Sequence, residues 1–526
     1  VSASPVVVVY DTTLRDGTQR EGISLSLGDK LRIAELLDRL GVTYIEGGFP
    51  GSNPKDAELF RRARDMRFQH ATLVAFGATR RAHIAVEDDA SLAALLDAHT
   101  SVCTIFGKSW NLHVTDVLGT TLDENLHIIE ESVAYLRSHG RRVIYDAEHF
   151  FDGFAADPSY ALETLDAAVR GGADQIVLCD TNGGSLPWDV EQVTRRVRGR
   201  IDRVIGVHSH DDTGCAVGNT LAAVRAGARH VQGTINGYGE RCGNANLCTV
   251  IANLELKMGF SCLPEGTLPE LSVVAAEVAE IANLPPDDHQ PYVGRSAFAH
   301  KGGVHVAAMR KEARSYQHVP PERVGNRMRV VVSELSGRGN VLSQAEALGI
   351  DVPPDVALEV VTQIKEDEAR GYSFEAAEGS VALCLERRRP GYRPPFVVRD
   401  YKVLLGRDAD GEAFAEATVK VEVGGVLRHT AAEGSGPVQA LDRALREALE
   451  PIEPAVRDIR LTDYKVRILD GREGTDATTR VLIQSSDGDR TWSTVGASAN
   501  IIEASCRALV DSFEHGLLAP RLLAAG

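Results

Sequence analysis

Nowhere in its 526 residues does the chain carry an apolar run close to the roughly 20 residues that a bilayer-spanning helix needs. Its opening stretch, Val-Ser-Ala-Ser-Pro followed by four valines, lacks the basic start and long apolar core of a secretory signal, and reads as a short tail entering a buried strand. A surplus of positive charge is also missing. The formal net charge of −17 argues against nucleic acid and anionic membranes as partners. An anionic substrate must then be held by local positive charge, from a metal or an arginine. The eight cysteines contain no C-x-x-C pair, so neither a zinc ribbon nor a disulfide framework is expected, and a reducing cytoplasm is the simple inference.

What is present is ordinary globular composition over a length too great for one core, so two or three domains are expected. Short β-rich runs recur at 6–13, 44–50, 71–76, 101–107, 142–149, 175–181, 204–210 and 231–237. Amphipathic helical patterns such as 27–40 and 123–138 lie between them, several ending at a glycine stop. Eight such units predict a (β/α)8 TIM barrel, whose catalytic groups gather at the C-terminal strand ends. A doubly wound open sheet is the alternative, but the Gly-rich phosphate turn after its first strand is missing.

Past residue 260 the period changes: 268–282 is helical, 284–292 is rich in Pro and Asp, and 296–313 is a loop or helix carrying His300, Lys301 and His305. A basic, Pro-rich stretch at 387–395 reads as a linker. Beyond it, 418–423, 430–437 and the helix 438–449 parallel 479–484, 491–497 and the helix 499–513. That strand–strand–helix repeat implies an α+β domain with pseudo-twofold symmetry. The expected division is a barrel at 1–268, helical subdomains at 269–386, a linker at 387–399 and a C-terminal α+β domain at 400–526.

Polar residues cluster at the predicted strand ends. His208 and His210 alternate around Ser209, so on a strand both imidazoles face one way. Taken alone the pair could be structural; at a barrel mouth, with Asp16 as hard anion and Asn244 as neutral oxygen donor, it reads as a site for Mg2+, Mn2+ or Zn2+. Arg15 either pairs with Asp16, Glu46 or Glu148, or polarises a carbonyl and stabilises an alkoxide. Thr181 could donate to a substrate carboxylate or satisfy a loop carbonyl. Glu148 could anchor a proton-transfer network or pair with Arg15. The loop at 236–246 contains Gly237, Gly239, Arg241 and Gly243. It is either a flexible surface loop or one whose glycines let backbone approach a ligand, as in the phosphate loops of late barrel strands.

Three strings together, Asp-Thr-Thr-Leu-Arg-Asp-Gly-Thr-Gln (11–19), His-Ser-His (208–210) and Gly-Glu-Arg-Cys-Gly-Asn-Ala (239–245), resemble the acyl-CoA Claisen-condensing TIM-barrel family of 2-isopropylmalate, homocitrate and citramalate synthases. The resemblance covers essentially the whole chain. The stretches 47–56, 145–153 and 178–184 look most like the citramalate branch, with Phe49 where that branch is expected to have Trp. The resemblance implies that Asp16, His208, His210 and Asn244 hold the metal, and that Arg15, Asp16 and Thr181 bind pyruvate or a related 2-keto acid. Acetyl-CoA would be the co-substrate. His305, assisted by Glu148 and Tyr316, would act as base toward its methyl group, on a segment reaching the neighbouring subunit's barrel in a homodimer. The terminal repeat, including 474–477 and 496–504, is similar to a regulatory domain that binds an end-product amino acid, isoleucine or leucine; dimerisation alone is the plainer reading. A lyase on the same barrel would want a Cys-containing signature loop and a carboxyltransferase a metal-bound Lys, and neither pattern is present. A non-catalytic amino-acid sensor is disfavoured by the intact polar set.

Overall fold

The computed structural model describes residues 4–407, 411–469, 474 and 476–523, with 519–523 described by backbone alone. Thr475, inside the 474–477 stretch of the terminal repeat, lies outside the described residues. The chain forms two compact units. The first runs to Phe298 and adds Val319–Arg327; the second is built from Ala299–His318 and the chain from Met328 onward.

In the first unit eight parallel strands close a barrel in sequential order: β1 (Val8–Asp11), β2 (Tyr44–Gly48), β3 (Thr72–Ala78), β4 (Val102–Lys108), β5 (Arg142–Glu148), β6 (Gln175–Asp180), β7 (Val204–Ser209) and β8 (His230–Gly233), with β8 pairing back onto β1. Each overlaps a segment expected to be a strand. Two-residue alternation sets what each strand buries. Tyr10, Tyr44, Val74, Val102, Ile144 and Val177 form a layer inside the barrel, while Val9, Ile45, Ala75, Cys103, Val143 and Ile176 pack outward under the helices. The helix Leu27–Leu40 begins at a Ser26–Asp29 capping box and stops at Gly41, whose φ of 96° takes the left-handed C-cap position. The pattern at 268–282 resolves into a 3-10 turn, Leu268–Glu270, and the helix Leu271–Ile281.

In the second unit, β9 (Ala299–His300) pairs with β10 (Arg329–Val330), so the ambiguous 296–313 segment holds this short strand and a short helix, Gly303–Met309. Helices Arg338–Ala347, Pro354–Ala369 and Glu378–Glu386 share an apolar core. Two antiparallel sheets follow. The first holds β11 (Phe396–Arg407), β12 (Ala413–Val423) and β13 (Val426–Gly434), packed on the helix Pro437–Leu449. The second holds β14 (Arg460–Ile468), β15 (Thr479–Ser486) and β16 (Thr491–Ser498), packed on the helix Ile501–Leu523. Each repeat therefore has three strands before its helix, one more than the sequence pattern suggested, and β11 begins within the stretch read as linker. The repeat extends to detail: β11 shifts register between Val398 and Asp400, and β14 between Leu461 and Asp463.

Candidate active site

The β1 strand ends at Asp11, and the chain then turns so that Asp16 opens a 3-10 turn at the barrel mouth. Strand β7 carries His208 to the same mouth, with His210 one residue past its end. Nε2 of His208 lies 3.4 Å and Nε2 of His210 3.9 Å from Oδ2 of Asp16. All three side chains are buried, and they are the one group of three acidic, thiol or imidazole side chains among the described residues spaced to hold a metal ion. Ligand atoms sharing an ion at about 2.1 Å lie roughly 3 Å apart, close to this spacing. Asn244 is joined to His210 by a backbone bridge and donates its amide to the Tyr238 carbonyl, 3.3 Å away, which leaves its Oδ1 as the free donor atom. Oδ1 of Asp16 and Oδ1 of Asn244 are both buried without a hydrogen-bond partner, the mark of donor atoms awaiting a cation. The set fits a divalent metal of the O/N-preferring kind.

Electrostatics agree. Burial alone would raise the Asp16 carboxyl, but Arg15 and the two histidines outweigh it and hold that group well below the usual carboxylate range. Burial opposes charge on His208, yet the hydrogen bond and charge of Asp16 prevail and its pKa is raised. His210, buried beside His208, is pushed down to about 4.

Arg15 pairs with both Asp16 (3.2 Å) and Glu46, whose Oε1 accepts from Nε at 2.6 Å. Tyr10 donates to the other Glu46 oxygen at 2.6 Å, and the guanidinium lies 3.9 Å over the Phe76 ring. Of the partners considered from sequence, Glu148 is not one: it pairs with Lys108, its register neighbour on β4. Phe49, Phe76 and Phe106 wall one side of a cavity of about 280 Å³ that Arg15, Asp16, Glu148, Thr181, His208 and His210 also line. Thr181 Oγ1 accepts from the His149 amide at 3.0 Å, so its own hydroxyl proton remains free to donate. Asp146 reaches the same cavity, its carboxyl pushed up to about 7 by burial, with Glu46 adding to the shift.

The glycine loop wraps Asn244. A Cβ on Gly239 would overlap the Asn244 amide nitrogen, and one on Gly243 would overlap the Gly237 carbonyl. Gly237 also has positive φ, and Arg241 on the cavity rim is fixed by Asp212 (2.8 Å) and the Thr181 carbonyl (2.7 Å). His305 and Tyr316 belong to the second unit, where their rings stack with centroids 4.2 Å apart. Lys108 and Gln232 were not anticipated; both lie at register positions beside site residues, a relation that needs the strand alignment and not only the strand.

A closed β/α barrel with a carboxylate and two imidazoles converging at its C-terminal mouth defines the class: a barrel enzyme with a candidate divalent-metal centre. The HMGL-like family model matches residues 6–274, the homocitrate synthase post-HMGL domain-like model residues 292–371, and the LeuA allosteric (dimerisation) domain model residues 376–517. An (R)-citramalate synthase from Synechocystis sp. is 53% identical over 98% of this chain and 97% of its own, and one from Aquifex aeolicus is 52% identical over 97% and 98%. A probable 2-isopropylmalate synthase from Methanopyrus kandleri is 33% identical over 96% and 97%. The chain belongs to the citramalate synthase branch of the HMGL-like barrel family.

Proposed function

We propose that this enzyme condenses acetyl-CoA with pyruvate and hydrolyses the resulting thioester, releasing (R)-citramalate and CoA for isoleucine biosynthesis. The reading rests on one observation above others: Asp16, His208 and His210 converge beside orphaned oxygens of Asp16 and Asn244, with Arg15 at their edge. These four ligands would hold Mg2+, Mn2+ or Zn2+, which when bound supplies Lewis acidity toward the ketone and carboxylate oxygens of the keto acid. Arg15, clamped by Glu46 and Phe76, is placed to stabilise negative charge on the ketone oxygen as it becomes an alkoxide. Thr181 offers its free hydroxyl proton to the substrate carboxylate. The three phenylalanines keep water from one wall and leave room for a small keto acid.

His305 takes a proton from the acetyl methyl group, with Tyr316 stacked on it and Glu148 completing the network. The methyl carbon bonds to the ketone carbon, the alkoxide gains a proton, and water then cleaves the thioester to a carboxylate and the CoA thiol. In a homodimer the partner chain would supply the base segment. The rim carrying Gly237, Gly239, Arg241 and Gly243 would receive acetyl-CoA. Isoleucine is the proposed effector of the C-terminal domain. The cytoplasm is the proposed location, consistent with eight unpaired cysteines; none of the described helices is long and apolar enough to cross a membrane.

Thiol release from acetyl-CoA with a panel of 2-keto acids tests the reading. Pyruvate should be preferred over 2-ketoisovalerate; the reverse would favour the 2-isopropylmalate alternative, for which the 33% relative speaks less strongly than the 52–53% citramalate synthases. His208→Ala should abolish metal-dependent release, and near-normal turnover would sink the site assignment.

A further inference from the structure

One hydrogen-bond chain inside the barrel has a single consistent direction. The Nδ1 of His208 lies 2.9 Å from Oε1 of Gln232, and Nε2 of Gln232 lies 3.2 Å from Oδ1 of Asp146. Gln232 has no exposed surface and Asp146 is 4% exposed, so water does not compete for these bonds. His208 and Gln232 are direct register partners on β7 and β8, while Asp146 faces them from β5 across the barrel interior.

We infer that Gln232, oriented by Asp146, is a positioning residue that fixes His208 in the tautomer able to bind metal. The argument starts at the far end. Above about pH 7 Asp146 is ionised and only accepts hydrogen bonds, so it turns the Gln232 amide nitrogen toward itself. The Gln232 carbonyl oxygen then faces His208 and also only accepts, which places the imidazole hydrogen on Nδ1. The lone pair is left on Nε2, the nitrogen that faces Oδ2 of Asp16. In the neutral ring that lone pair faces the Asp16 carboxylate at 3.4 Å, a contact that repels unless a proton or a metal ion lies between them, so the relay reserves Nε2 for positive charge. Partners of this kind commonly carry a 10- to 100-fold effect on metal affinity.

This rests on the metal reading of the site, and the test separates the two. Co2+ binding to the metal-free full chain is measured by competition with a chromophoric chelator. Gln232→Leu should bind Co2+ about 10- to 100-fold more weakly than the parent. The double substitution Q232E/D146N keeps an acceptor toward His208 and reverses the outer hydrogen bond, so it should restore most of the parental affinity. Long-range ¹H–¹⁵N NMR of ¹⁵N-histidine-labelled, metal-free parent, at a pH where the ring is neutral, should show His208 protonated on Nδ1. That measurement needs no variant to fold and no metal to bind. A hydrogen on Nε2 would overturn the inference. So would Gln232→Leu binding Co2+ as tightly as the parent, or the double variant binding as weakly as Gln232→Leu. A parent chain that binds no Co2+ would instead remove the metal reading, and this inference with it.

Discussion

Replacing Glu46 by Gln removes one negative charge from the most enclosed ion pair of the site. Glu46 has no exposed surface; one oxygen accepts from Arg15 Nε at 2.6 Å and the other from Tyr10 Oη at 2.6 Å. In the variant the amide oxygen can keep Arg15, but the amide nitrogen then faces Tyr10, whose hydroxyl must turn to accept it and donate instead to Thr104, 2.7 Å away. Geometry therefore survives while charge is lost. A hydrogen bond to a charged group is worth about 1.5–3 kcal/mol, and leaving a buried charge wholly unpaired costs about 3–5 kcal/mol. Asp16 still pairs with Arg15 at 3.2 Å, so the lower range applies, about 2–3 kcal/mol. For a unit of about 300 residues, with an unfolding entropy of about 0.6 kcal/mol/K, that corresponds to a fall of about 3–5 °C in the melting temperature of the barrel transition. Turnover should drop further than stability implies, because a loosened guanidinium loses its aim at the developing alkoxide; a fall of about 10–100-fold is expected against the 100–1,000-fold typical of removing a donor outright. Calorimetry and thiol release read the two effects separately. A variant that melts within about 1 °C of the parent and turns over normally would refute the claim that Glu46 holds Arg15 by charge.

Three more outcomes follow from the geometry. Gly239→Ala places a methyl group where the Asn244 amide lies, at a φ of 156°, so metal affinity measured by dialysis should fall while the helices, read by circular dichroism, persist. Lys108→Met removes the cation paired with Glu148; thiol release should fall by about an order of magnitude if that carboxylate must be held in place. His230 is fully buried, stacked on Tyr10 at 5.3 Å, and its pKa is pushed down to about 3 from the ordinary 6.5 by burial, with His208 adding to the shift. The unfolded chain then binds a proton below pH 6.5 that the folded chain refuses. The parent's stability advantage over His230→Gln should accordingly be complete above pH 6.5 and shrink, by on the order of 1 kcal/mol per pH unit, toward pH 3. Urea unfolding of the metal-free proteins across that range checks it.

The barrel was legible because each of its strands is a short apolar run bounded by turn residues, and the alternation around His208 and His210 follows from the strand period alone. Strand β11 was hidden for a physical reason. Its sequence, Phe-Val-Val-Arg-Asp-Tyr-Lys-Val, is charged where a half-exposed strand faces outward, and it follows the Pro-rich stretch that marks a chain break. Strand β14, Arg-Leu-Thr-Asp-Tyr-Lys-Val-Arg-Ile, is disguised the same way. At the site, the residues at strand ends were visible, but their partners were not. That Lys108 sits beside Glu148, and Gln232 beside His208, depends on how far neighbouring strands are staggered, which no single strand's sequence encodes. Arg15 was left with three candidate partners for the same reason, and the structure pairs it with two of them.

The first unit takes back Val319–Arg327 after the chain has left it for Ala299–His318. This late segment packs on the stretch that follows the barrel: Val324 is fully buried, the Ser272 hydroxyl donates to its carbonyl at 2.6 Å, and Gly325 runs so close to Pro269 that no side chain would fit. During synthesis the first unit therefore cannot complete its packing until Arg327 has cleared the ribosome, by which time the His305 segment has already been made. A nascent chain stalled at Phe298 would hold all eight strands and still lack the segment that packs on Pro269 and Ser272.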